Sequence, residues 1–150
     1  MNFIGIDLAW TYKNESGICV INDKGNILYS NSKTYTNEDI ALLIEEYSRD
    51  GAFAVIDAPL IVRNETGSRT CDNLLMSEKI HGRHLSVFAC SRSYLQKAYG
   101  MIRGELVVHA IREKSPAFKL ETDIKKQSHS IAEIFPTGIV LHLFPEAFPI

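Results

Sequence analysis

The strongest constraint on the fold is Asn2-Phe3-Ile4-Gly5-Ile6-Asp7-Leu8-Ala9-Trp10, an apolar run interrupted by one carboxylate. Phe3, Ile4, Ile6, Leu8 and Ala9 follow the pattern of a strand buried on both faces inside an α/β sheet. An ionised Asp7 does not belong in such a strand, because a charge in an apolar interior is strongly disfavoured unless paired or metal-bound. Gly5, two residues earlier, leaves backbone uncovered and marks a place where something approaches closely. A second apolar run, Phe53-Ala54-Val55-Ile56-Asp57, also ends on an aspartate, just before Ala58-Pro59. One aspartate after a strand is explained by the cap it gives to the following turn. Two such strands point to a shared site.

The rest of the chain supplies the frame. Ser16 to Ile21 and Ile27 to Tyr35 read as strands, joined by the turn Asn22-Asp23-Lys24-Gly25-Asn26, and with the first strand they form an antiparallel meander. Thr36 caps a helix with Glu38 and Asp39 in its first turn. Ile40, Leu43, Ile44 and Tyr47 give that helix an apolar stripe. It leads to the strand at 53–57 as a right-handed crossover, so that strand runs parallel to a neighbour. Residues 58–70 form a loop, 71–79 a helix, and 94–113 a long helix with Leu95, Ala98, Ile102 and Leu106 on one face. Gly100 and Gly104 are its weak points, each costing roughly 1 kcal/mol against Ala. Ile131 to Phe135 is a short strand ended by Pro136, and a last helix from Thr137 is stopped by Pro145 and Pro149.

Composition excludes several classes. With 45% hydrophobic and 23% charged residues, disorder is not expected, and 150 residues suit one domain. No apolar stretch approaches the ~18 residues of a membrane span, and no secretion signal is present, so a cytoplasmic protein without membrane contact is expected. The Asn14-Glu15-Ser16 and Asn64-Glu65-Thr66 sequons therefore carry no meaning. Cys19, Cys71 and Cys90 form neither a CxxC pair nor a disulfide framework. His81-Gly82-Arg83-His84 reads as a loop with two exposed histidines rather than a zinc site. Residues 1–62 carry four Lys/Arg against nine Asp/Glu, and residues 63–126 twelve against seven. A basic middle beside an acidic site suits a metal-dependent enzyme acting on a phosphate polyanion. Ordinary solvated surface explains most of these charges equally well.

In an open α/β sheet, ligands sit at the carboxyl ends of strands where strand order reverses. With the meander on one side of the first strand and the 53–57 strand on the other, Asp7 and Asp57 face each other at such a point. Two close carboxylates resist joint ionisation unless a divalent cation neutralises them, and hard oxygen donors favour Mg²⁺ or Mn²⁺.

This layout resembles the ribonuclease H-like superfamily. More narrowly, the chain is similar to a family of uncharacterised predicted nucleases with that fold. The resemblance is carried by Gly5-Ile6-Asp7-Leu8-Ala9-Trp10, Ser16-Gly17, Ile56-Asp57-Ala58-Pro59-Leu60, Asn64, Gly67-Ser68-Arg69, Asp72 and Glu133-Ile134-Phe135-Pro136. It implies one ribonuclease H-like domain over 1–150: a mixed sheet with a three-strand antiparallel meander, then parallel strands and flanking helices. It further implies phosphodiester hydrolysis by a two-metal mechanism on nucleic acid. Asp7, Asp57 and Glu133 are implied as catalytic metal ligands, and Asn64, Arg69 and Asp72 as substrate-binding residues. The chain departs from the superfamily at its last acidic ligand, normally on a C-terminal helix. Here that helix offers only His142 and then Glu146, so either the chain is C-terminally truncated or Glu133 is the third ligand. For Glu133 alone, a salt bridge to a lysine is nearly as good a reading. Two other functions compete: an actin or sugar-kinase type ATP-binding module, and a non-catalytic nucleotide- or protein-binding domain.

Overall fold

A computed structural model describes residues 1–121 and 128–147. In chain order the elements are β1 (Asn2–Asp7), β2 (Ser16–Asn22), β3 (Ile27–Lys33), α1 (Asn37–Tyr47), β4 (Ala52–Asp57), α2 (Thr70–Ser77), β5 (Lys79–Ile80), β6 (Arg83–His84), α3 (Arg92–Tyr99), α4 (Arg103–Lys114), β7 (Lys119–Leu120), β8 (His129–Glu133) and α5 (Pro136–Leu143). A 3-10 turn, Pro145–Ala147, follows; Pro149 lies outside the described residues. The chain divides into two compact units, residues 1–61 with 102–134, and residues 62–101 with 135–150.

The first unit is α/β. Its sheet has the order β3-β2-β1-β4-β8-β7. β1 pairs antiparallel with β2, and β2 with β3, whereas β1–β4, β4–β8 and β8–β7 are parallel. β1 is thus an interior strand with the meander on one side and the crossover strand on the other, as its sequence predicts. Period-two alternation sends Ile4, Ile6 and Leu8 to one face, where they join Ile18, Val20, Ala54, Ile56 and Ile131. α1 and α4 cover that face with Ile40, Ile44, Val107 and Ile111, all buried. α1 begins with the expected Thr36 cap. Its hydroxyl accepts from the Asp39 N–H at 3.0 Å, while the Asp39 carboxylate accepts from the Thr36 N–H at 2.8 Å.

Two expectations need correction. β1 is not buried on both faces: Phe3 is 37% exposed, Asp7 is exposed and Gly5 is half-exposed. The run looks continuously apolar only because Phe3 is the sole large side chain on the second face. The 94–113 helix is two helices. Gly100, in the left-handed region at φ 75°, ends α3 with its N–H on the Gln96 carbonyl. The break resets the helical phase, so α4 buries Val107, Val108 and Ile111 while Leu106 is 44% exposed. Gly104 is no break. A Cβ there would collide with the Pro59 carbonyl, so this glycine lets α4 press on the turn that follows Asp57.

The second unit holds α2, the β5–β6 hairpin, α3 and α5. His81 and Gly82 form the hairpin's two-residue turn, both at positive φ. The two histidines are exposed and diverge: His81 Nε2 meets the His142 carbonyl and His84 Nδ1 the Met76 carbonyl.

Candidate metal site

β1 and β4 run in parallel register from Asn2 beside Ala52 to Asp7 beside Asp57. Both strands end at this pair. Neighbours in register on parallel strands project from the same face, and adjacent strands lie about 4.8 Å apart. The two carboxylates therefore leave one sheet face side by side, at the carboxyl edge and at the point where strand order reverses. Asp7 is exposed and Asp57 half-buried. Burial raises the Asp57 pKa first, and the negative charges of Asp7 and Glu133 raise it further.

The backbone around this pair is fixed on several sides. The buried Ser16 hydroxyl accepts from the Ala9 N–H at 3.0 Å. Arg103, only 3% exposed, donates to the carbonyls of Ala9 (2.8 Å), Thr11 (2.9 Å) and Tyr35 (2.6 Å). Its guanidinium also lies 4.8 Å from the Tyr12 ring centroid. Nε adds a long contact to Asn37 Oδ1 at 3.5 Å, so among the described residues its partners are neutral acceptors and a ring, and burial lowers its pKa. Arginine suits this place because its fork is weakly hydrated and stays charged. Sequence reasoning gave Arg103 no role.

Glu133 belongs to the same unit but differs from the two aspartates. Its register partner is Ile56, one residue before Asp57. Alternation therefore directs it away from the Asp7–Asp57 face. Its Oε2 accepts from the Leu60 N–H at 2.9 Å, which ties β8 to the turn after Asp57. Among the described residues no three His, Cys, Asp or Glu side chains are grouped to hold a metal ion. Asp7 and Asp57 are the two carboxylates that end side by side at this edge, and Mg²⁺ can be held by one or two carboxylates with waters completing its shell.

Asn64, Arg69 and Asp72 lie in the second unit. Arg69 grips the buried Asp72 with two bonds, Nε to Oδ2 at 2.9 Å and Nη2 to Oδ1 at 2.7 Å. Asn64 organises its loop: Nδ2 donates to the carbonyls of Thr66, Gly67 and Cys90, and its own carbonyl accepts from the Arg92 N–H.

No protein-family model, curated protein or solved structure matches this chain. The fold and the site therefore rest on the chain's own geometry. That geometry shows an α/β unit with antiparallel, then parallel strands, and an aspartate pair at its switch point.

Proposed function

We propose that this protein is a metal-dependent nuclease of ribonuclease H-like fold, hydrolysing phosphodiesters with Mg²⁺ or Mn²⁺ held by Asp7 and Asp57. The observation that carries the reading is their shared register at the ends of two parallel strands. Such a cation would polarise the phosphate, lower the pKa of bound water and stabilise the leaving oxygen. The chain's own part is to bind and orient. Asp7 and Asp57 give one shared seat, and Glu133 is a further carboxylate whose charge reaches Asp57. Glu133 and Gly104 fix the turn behind Asp57, and Ser16 and Arg103 fix the loop behind Asp7. Asn64, Arg69 and Asp72, implied as substrate-binding residues, belong to the second unit, where Asp72 holds the Arg69 guanidinium in one orientation.

Thermal melts across pH test this reading. A carboxyl whose folded pKa is raised binds its proton more tightly in the native state. Stability of the metal-free protein should therefore fall as pH rises from the unfolded value near ~4 through the raised Asp57 value. A bound cation opposes that fall. At neutral pH, Mg²⁺ or Mn²⁺ at about 100 times its Kd should raise the Tm by roughly 5–10 °C. The rise should vanish as pH drops through the Asp57 transition. A protein whose melting ignores both cations at neutral pH contradicts the proposal.

A further inference from the structure

Aromatic rings left in water forgo the burial that stabilises them elsewhere, yet three gather on the surface of the second unit. Phe88, just before α3, is 47% exposed, and Tyr94, in the first turn of α3, is 46% exposed. The Tyr94 ring meets both of the others. Its centroid lies 5.5 Å from that of Phe88 and 6.4 Å from that of the half-buried Tyr99. A single exposed apolar side chain needs no explanation, but a contiguous group marks an interaction surface. The helix beneath the rings is firmly placed. Leu95 points inward and is buried, and the Ser91 hydroxyl accepts from the Tyr94 N–H at 3.3 Å. The amides of Arg92 and Ser93 donate to the carbonyls of Asn64 and Glu65. Rings on such a base lose little freedom when a ligand stacks on them.

The charge of the same stretch is a separate observation, and it selects the ligand. From Lys79 to Met101 the chain carries Lys79, Arg83, Arg92 and Lys97 and no Asp or Glu, although the whole sequence holds 18 acidic residues against 16 basic. Lys97 is exposed and follows Tyr94 by three positions, so the two share one face of α3. Glu65 brings an acid to the start of α3, and the exposed Arg63 two residues earlier offsets it. We infer that Phe88, Tyr94 and Tyr99 form a stacking platform for the bases of single-stranded nucleic acid, with Lys97 beside it for the phosphates. Aromatic faces accept any base, while cations follow the backbone, so recognition of this kind is tolerant of sequence. A duplex keeps its bases stacked inside and cannot use the rings. A proline-rich peptide would use the rings but gain nothing from the cations. The inference rests on the proposed nuclease reading and names the strand form of its substrate.

The test is fluorescence anisotropy of labelled oligo-dT and oligo-U, each of about 12 nucleotides, with the whole protein in EDTA so that no strand is cut. Wild type should bind both, and should bind a duplex of the same length roughly tenfold more weakly. Tyr94→Ala and Phe88→Ala should each weaken single-strand binding roughly tenfold, whereas Tyr94→Phe, which keeps the ring, should cost less than about threefold. Lys97→Gln should flatten the slope of log affinity against log salt by about 0.7. Because Phe88 and Tyr94 are so exposed, both alanine variants should melt within about 2 °C of wild type. A clear fall in Tm in both would show rings packed for the fold and overturns the inference. So does a duplex bound as well as the single strands, or a proline-rich peptide bound where the oligonucleotides are not. The Mn²⁺-induced rise in Tm is read separately on wild type. With that rise present and no oligonucleotide bound, the platform fails and the metal site stands. With ring-dependent binding and no rise, the platform stands and the metal-dependent reading fails.

Discussion

Asp7→Asn is expected to abolish Mg²⁺-dependent phosphodiester cleavage and to leave the fold intact. Asparagine keeps the size of the side chain and one carbonyl oxygen but removes the charge that attracts a cation. The activity should drop to background, and the cation-induced rise in Tm should go with it. The metal-free variant should melt no lower than wild type, because Asp7 is one of the charges that disfavour ionisation of Asp57. A structural Asp7, capping a turn or paired to a cation, requires the opposite: a loss of order 1 kcal/mol in stability with the response to Mg²⁺ unchanged. Cleavage assays and melts on the same two proteins separate the readings.

Arg103→Met should give the largest loss of stability of any single change near the site. Three carbonyls, of Ala9, Thr11 and Tyr35, would lose a charged donor at 2.6–2.9 Å. A buried acceptor left without a donor costs about 1–3 kcal/mol. Recovered solvation of some carbonyls and relief of the buried charge offset part of this. The net expectation is about 2–4 kcal/mol, which lowers the Tm by roughly 10 °C and is a large share of a typical 5–15 kcal/mol. Arg103→Lys should fall between, since one ammonium cannot fork across three carbonyls. Hydrogen exchange gives the local readout: amides of residues 9–12 should lose protection before those of β4. A Met variant that melts within about 2 °C of wild type would contradict this account of Arg103.

What the sequence reveals follows from how local each cause is. The strand β2, the stripe of α1 and the Thr36 cap depend on residues within a few positions, and all appear where the sequence places them. The β1–β4 pairing is long-range but is announced by two apolar runs of equal kind. The Arg69–Asp72 pair is equally local, spanning three residues. One-sided burial of β1 was not readable, because period-two alternation disappears when the second face carries a single large side chain, Phe3. The buried face of α4 was missed because Gly100 re-phases the helix, which a continuous 3.6-residue count cannot register. The contacts of Arg103 and Glu133 were beyond reach: Ala9 lies 94 residues from Arg103 and Leu60 lies 73 from Glu133, and no local pattern marks either pairing. For Glu133 this matters chemically. The resemblance implies it as a third ligand, and its register beside Ile56 and its bond to the Leu60 amide add a second role, tying β8 to the turn behind Asp57.

The most direct measurement of the central claim is anomalous scattering from a crystal soaked in Mn²⁺ at neutral pH. The account predicts one strong peak between the carboxylates of Asp7 and Asp57, at the carboxyl edge of β1 and β4, and no peak in Asp7→Asn crystals treated alike. An ordered Asp7–Asp57 pair with no manganese between them, or manganese bound only elsewhere, would contradict it.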